Sequence, residues 1–302
     1  MLTATLPAGR AGNLAPHPLG GPEVRSLRDQ DLQRANGFGR LVLGGSEKAT
    51  RIVDVSQRSP IRIIFPRTVT GPTETVLLNT AGGLAGGDRL RYGITALAGA
   101  SIAVTSQAAE KVYRALNEPA HITTTLRVCS MASLAWLPQE TIVFNGGGVI
   151  RRTEVEISSG AELLAVEWLV LGRAARGEQM TNGHVTDSWR VRKDGSLIWA
   201  DSFRATEETF PHLGRKALLS DSKAIGTLIY FGQDFATRLE SLRRIAASLE
   251  CHCAVTTIEG LIIVRFAASV GFHLRVALRS FLEQAGRTFR ASVFRVPKMW
   301  LC

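Results

Sequence analysis

Carboxylates in apolar surroundings are the residues here whose types and spacing could do chemistry. Glu167 sits in LLAVEWLVLG, Asp201 in LIWADSFR, Glu110 in SQAAEKVYRA beside Lys111, and Glu140 directly after AWLPQ. Asp88 follows two glycine pairs in LLNTAGGLAGGDRL. A carboxylate is rarely buried unless it is paired or holds a cation. Two readings follow. The acids form ion pairs with arginines such as Arg114 or Arg173, or they line an interior path for a divalent cation. Sparse oxygen ligands suit weak, transient handling better than a storage cage.

The glycine loop narrows the chemistry further. Gly82 to Gly87 has phosphate-loop spacing, but Asp88-Arg89 stands where Lys-Ser/Thr must follow to reach the phosphates and their metal. A carboxylate at that point repels phosphate, and no helix begins there to lend its dipole. This chain is therefore expected to bind no nucleotide through the loop. A plain turn, with glycines supplying positive φ and Asp88 capping nearby amides, competes with a metal-path role.

Other constellations are weak. The sequence holds no Gly-x-Ser-x-Gly elbow, no His-Glu-x-x-His and no Cys-x-x-Cys. Its histidines (His17, His121, His184, His212, His252, His273) are scattered singly. In Cys251-His252-Cys253 a strand would put both thiols on one face and the imidazole on the other, so buried core thiols compete with ligation. No nucleophile–base set of a recognised kind is visible, and no enzymatic activity is expected.

The elements that would position these acids are strands. From Gly39 onward short Val-, Ile-, Leu- and Thr-rich runs are bounded by Gly, Pro, Ser or Asn, from GRLVLGG and TRIVDVSQ to SLIWADSFR and GTLIYFG. In RRTEVEI, Val155 and Ile157 lie opposite Glu154 and Glu156. Without intervening helices, this argues against a βαβ fold and for a mainly β one. Asp194-Gly195 and Glu259-Gly260 read as hairpin turns. Two helices are expected late in the chain. One covers residues 234–250, capped by Asp234, with Phe235, Leu239, Leu242, Ile245, Ala246 and Leu249 on one face. The other covers 273–286, with Leu274, Leu278, Phe281 and Leu282 together, and stops at Gly286.

The first 34 residues, rich in Pro, Gly and Ala, read as a flexible extension. Residues 35–302 read as a single β-rich domain with a helix-containing part at 232–302. No apolar run reaches the ~20 residues that span a bilayer, and no signal-peptide pattern opens the chain. Cys129, Cys251, Cys253 and Cys302 are too oddly placed for a disulfide framework. A cytoplasmic protein away from membranes is the expectation. With 36 Lys and Arg against 26 Asp and Glu, the formal charge is +10. That favours acidic partners, yet the basic residues are dispersed and not interleaved with aromatics as in nucleic-acid modules, so docking on protein is expected rather than nucleic-acid binding.

Several long motifs occur together in order. NTAGGLAGGDRL (79–90), TSQAAEKVYRA (105–115), WLPQETIVFNG (136–146) and EWLVLGRAARGE (167–178) resemble the urease accessory protein UreD family, called UreH in some organisms. GLIIVRF, followed by a helix and VPKMW (296–300), is similar to that family's ending. The resemblance covers roughly residues 35–300. It implies a stacked-sheet, superhelical, β-helix-like domain with two helices. It also implies a non-enzymatic chaperone that binds UreF directly and the GTPase UreG through it, in a dimeric UreD-UreF-UreG assembly. That assembly docks on urease apoprotein and delivers nickel, a transient cargo, through an internal acidic tunnel. By motif position the path residues would be Asp88, Glu110, Glu167 and Asp201, with Glu140 and Glu178 further candidates. A scaffold that positions UreF and UreG without touching metal is the alternative.

Two positions depart from the family pattern. Asn145 stands where members often carry Asp after PQETIVF, which weakens a carboxylate role there. Arg176 stands where Met is usual, adding positive charge near the expected path unless it faces out or pairs with Glu178.

Overall fold

Period-two burial divides the strands into two kinds, and that division builds the molecule. The computed structural model describes residues 33–46, 49–67, 71–173, 176–233, 235–289 and 292–301. Met1–Gln33 separates as a unit of its own from Arg34–Cys302. The expected extension over 1–34 falls almost wholly outside the described residues, as do Asp234 and Cys302.

Seven strands form one sheet, in the order β14 (Ser196–Ala205), β13 (His184–Lys193), β11 (Gly148–Ile157), β8 (Ala120–Val128), β5 (Arg89–Ala96), β1 (Asn36–Ser46) and β2 (Ala49–Arg58). A ten-stranded sheet runs β16 (His252–Ile258), β17 (Leu261–Ala268), β15 (Ala224–Phe231), β12 (Glu162–Leu171), β9 (Ser133–Leu137), β6 (Ser101–Ser106), β4 (Thr73–Asn79) and β3 (Ile61–Ile64). Its short strands β7 (Glu110–Val112) and β10 (Thr141–Val143) stack in parallel beside the far half of β12.

From β4 to β13 the chain passes back and forth between the sheets, and neighbours within each sheet are parallel and in register. A parallel pair needs a long crossover. Here that crossover is a strand of the opposite sheet, which is why no helix is required. The result is the stacked, solenoid-like β fold.

Alternation marks the seven-stranded sheet. In β11 the residues Arg151, Thr153, Val155 and Ile157 are buried, while Arg152 and Glu154 are exposed. In β12, Leu163 through Leu169 are all buried, because the ten-stranded sheet is covered on both faces. Its outer cover is α1 (Phe235–Ala247) and α2 (Gly271–Phe289), which pack Leu242, Leu278 and Phe281 against Leu164, Val166 and Tyr230.

Both hairpin turns form as read, with positive φ at Asp194, Gly195, Glu259 and Gly260. The second helix does not stop at Gly286. It runs on to Phe289, and Gly286 instead gives room to the C-terminal turn, since a Cβ there would lie 3.4 Å from the Phe294 carbonyl oxygen.

Candidate functional site

Two apolar clusters fill the space between the sheets, one around Leu41, Leu126 and Leu163 and the other around Leu84, Val112 and Leu171. A polar belt separates them. On the seven-stranded sheet the register places Tyr92, Thr124, Thr153, Trp189 and Asp201 in one row, with Ile122, Arg151 and Asp187 in the next inward-facing row. On the opposite sheet Glu167, Thr227 and Arg265 lie in one row.

The belt opens into a cavity of about 160 Å³. Tyr92, Glu110, Trp136, Thr141, Arg151 and Glu167 form its walls, and Gly82, Gly83 and Lys111 also contribute. β7 places Glu110 here by pairing with Thr141 of β10. Burial pushes the Glu110 carboxyl up to about 7 from its ordinary 4.5. Hydrogen bonds from Asn79 and the Lys111 amide and the Lys111 charge resist that rise, and the nearby Asp88 charge reinforces it. Asn79 Nδ2 donates to Glu110 Oε1 at 2.9 Å. Burial, reinforced by the charges of Glu110 and Glu167, raises Tyr92 and keeps it a neutral phenol. Gln139 lines the same cavity, and its buried Oε1 has no partner among the described residues.

Glu167 and Arg151 close the cavity's inner wall. Arg151 is 2% exposed and comes from the opposite sheet. Its Nη1 lies 2.8 Å from Glu167 Oε2. Its Nε and Nη2 donate to the two Asp187 oxygens at 2.8 and 2.7 Å, a bidentate clamp. Nη1 also donates to Thr141 Oγ1 at 3.1 Å, and Trp136 Nε1 donates to Glu167 Oε1 at 2.8 Å. Burial raises Glu167, while Arg151 and the Trp136 N–H hold the rise in check. Burial works against the Arg151 charge, but the two carboxylates outweigh it and its pKa rises.

Asp88 is buried as well, but both of its oxygens are taken. Oδ1 accepts from the Ala35 amide and Oδ2 from the Ala85 amide, each at 2.8 Å. The loop around it is crowded: at Gly83, φ is 152°, and a Cβ would lie 2.8 Å from the Lys111 carbonyl oxygen. The turn and the interior position are thus both present, with Asp88 close enough to act on Glu110.

The remaining acids are dispersed. Asp201 lies along the belt from the cavity, paired to Arg265 at 2.8 Å, and Arg265 also donates to Thr227. Glu140 pairs at 2.6 Å with Arg275 of α2, whose guanidinium lies over Trp168. Glu178 pairs at 2.6 Å with Arg173, which holds its carboxyl below the usual range. Of the two arginines named from sequence, Arg173 forms such a pair, whereas the backbone of Arg114 bridges Gly147. Arg176 is exposed. Asn145 Oδ1 accepts from the Thr181 and Asn182 amides at 2.9 and 3.1 Å, a turn-holding role. Cys251 and Cys253 pack toward the helical cluster, burial raises both thiols, and His252 is exposed.

Sequence reasoning passed over Arg151, Asp187, Tyr92 and Trp136. A signal for the first two existed. Arg151 shares its phase with Val155 and Ile157, and Asp187 shares its phase with Val185, Trp189 and Val191. Period two alone put both on buried faces.

These features define a class of protein: a two-sheet, largely parallel solenoid with a polar belt between its sheets. Among the described residues no three of His, Cys, Asp and Glu converge as a metal-holding group, and no helix is long and apolar enough to cross a membrane. Residues 35–301 match the family model described as UreD urease accessory protein. The chain is 36% identical over 276 residues to the urease accessory protein UreD of Methylobacterium sp. (strain 4-46), covering 89% of this chain and 96% of that one. It is 38% identical over 272 residues to the UreD of Chelativorans sp. (strain BNC1), covering 89% and 95%. A third UreD, from Rhizobium leguminosarum bv. trifolii (strain WSM2304), is 38% identical over 268 residues, covering 89% and 96%. The chain belongs to the UreD urease accessory protein family.

Proposed function

We propose that this urease accessory protein passes nickel to urease apoprotein along the polar belt. In this reading it performs no catalysis of its own and works in the cytoplasm. It binds UreF directly and the GTPase UreG through UreF, in a dimeric assembly. The observation that supports this best is that Glu110 and Glu167 line the same cavity, with burial raising the Glu110 carboxyl to about 7. A carboxyl poised there can take up a divalent cation and release it again for little change in free energy. Nickel is the cargo, not a resident cofactor. Beyond the cavity it meets Arg151, so onward movement is an exchange in which the cation takes the place of the guanidinium between Glu167 and Asp187.

A second reading, a scaffold that positions UreF and UreG without touching metal, draws on a different observation. Glu140, Glu167, Glu178, Asp187 and Asp201 all have arginine partners, and Asp88 is held by amides. Equilibrium dialysis with nickel separates the two, comparing wild type with Glu110→Gln and Glu167→Gln. Urease nickel content is measured after maturation with each. Transport requires weaker binding and lower nickel content in the variants while the complex still forms. Equal binding and equal loading in all three would leave only the scaffold.

A further inference from the structure

The uncovered face of the seven-stranded sheet carries an excess of one charge. The outward rows hold Arg89 and Arg204, then Arg152, then Arg190, then Arg127 and Arg192. All are exposed except Arg192, which is half-buried. Among the described residues none of the six is in an ion pair with a carboxylate. The acids between them are few. Glu154 stands in register between Thr125 and Arg190, and Glu156 between Arg127 and Arg192. Glu156 is itself turned to the Gly195 amide at 2.9 Å.

An ordinary solvated sheet face intersperses both signs. Here the outward rows set six arginines against two acids, with Arg190 and Arg192 two residues apart on one face of β13, so the face keeps a positive excess. The charge is carried by arginine throughout these rows. Guanidinium suits bidentate pairing with planar carboxylates or phosphates, and arginine is enriched at interfaces.

We infer that this face docks a carboxylate-rich surface of a folded protein partner. The central Glu154 and Glu156 disfavour a phosphate polymer and fit a partner that also presents some cations, which would set the register. The outward rows between β8 and β13 present no Phe, Tyr or Trp side chain for base stacking. Hydroxyl residues between the arginines, Thr123, Thr125, Thr186 and Ser188, keep the face low enough for close approach. An interface built this way is steered by charge, so its association rate depends on salt.

The test rests on the reading that this chain docks on urease, and uses urease apoprotein as the probe. Its association with the full-length chain, alone and in the accessory complex, is measured at about 50 mM and about 300 mM salt. For the triple variant Arg127→Glu, Arg190→Glu, Arg192→Glu, the association rate should fall at least ~10-fold and lose most of its salt dependence. The neutral triple to Gln should fall between, and the control Arg243→Glu, Arg244→Glu, on the α1 helix that covers the other sheet, should match wild type. Melting curves confirm that all are folded. Wild-type rates in a folded triple variant would overturn the inference while leaving the urease reading intact. Tighter binding of a DNA duplex of about 20 base pairs than of urease, lost in the triple variant, would overturn it in favour of nucleic acid. If wild type fails to bind urease in either form, the functional reading falls and this inference falls with it.

Discussion

Arg151 crosses the interior from one sheet to place its Nη1 2.8 Å from Glu167 on the other. Its remaining donors hold Asp187 on its own sheet. One cation thus ties two buried carboxylates, and the triad closes the cavity wall. A buried pair adds little over a well-packed apolar replacement, but removing one partner leaves unpaired charge in low dielectric.

Arg151→Met is therefore expected to destabilise the fold by about 3–5 kcal/mol at neutral pH. Urea denaturation measures this. Arg151→Met with Glu167→Gln and Asp187→Asn should recover much of the loss, because no unpaired charge remains. A single variant as stable as wild type would show that the triad is dispensable.

Glu110 gives the fold a pH dependence of defined sign. Its pKa in the folded protein, about 7, lies above its ordinary 4.5. Between those values the folded chain binds a proton that the unfolded chain does not. Stability from this group is full below pH 4.5 and is lost as pH rises through about 7. Glu110→Gln should consequently be more stable than wild type at pH 8 by ~2 kcal/mol, with the difference closing toward pH 5. Thermal melts across that range check it. A constant difference would mean Glu110 does not titrate in the window.

The sequence made the strands, both hairpins, the two late helices and the acids themselves legible, because each depends on local period or turn chemistry. Of the arginine partners only Arg173 was named from sequence, since ion pairing across two sheets depends on which strands face each other. Arg151 and Glu167 are close in sequence but come from opposite sheets, and no spacing rule predicts that encounter. Glu140 and Arg275 are further apart still, joined only because α2 covers the ten-stranded sheet. The parallel register was equally hidden: β8 and β11 alternate as any half-buried strand does, and alternation does not record direction.

The glycine loop is held by Leu84, fully buried and bridged in parallel to Val112, which is in register with Val143 and then Leu171. Leu84→Ala should cost about 2–5 kcal/mol by opening a cavity in that stack. Gly83→Ala should cost about 1–3 kcal/mol for a different reason, since its Cβ would press on the Lys111 carbonyl and the Tyr113 ring. Both are measured by denaturant unfolding. Free tolerance of alanine at position 83 would show that the loop can move away from Lys111.

Asp201 offers the cleanest separation of transport from folding. Its pair with Arg265 is partly open to solvent, with side chains 27% and 44% exposed. Such pairs contribute little, so Asp201→Asn should change stability by less than about 1 kcal/mol. If cargo passes the far end of the belt, the same variant should lower urease nickel content by a factor that stability cannot account for. Arg151→Met provides the contrast: there any loss of nickel is confounded by unfolding. Nickel content equal to wild type with Asp201→Asn would confine the path to the cavity side of Arg151 and remove Asp201 from it.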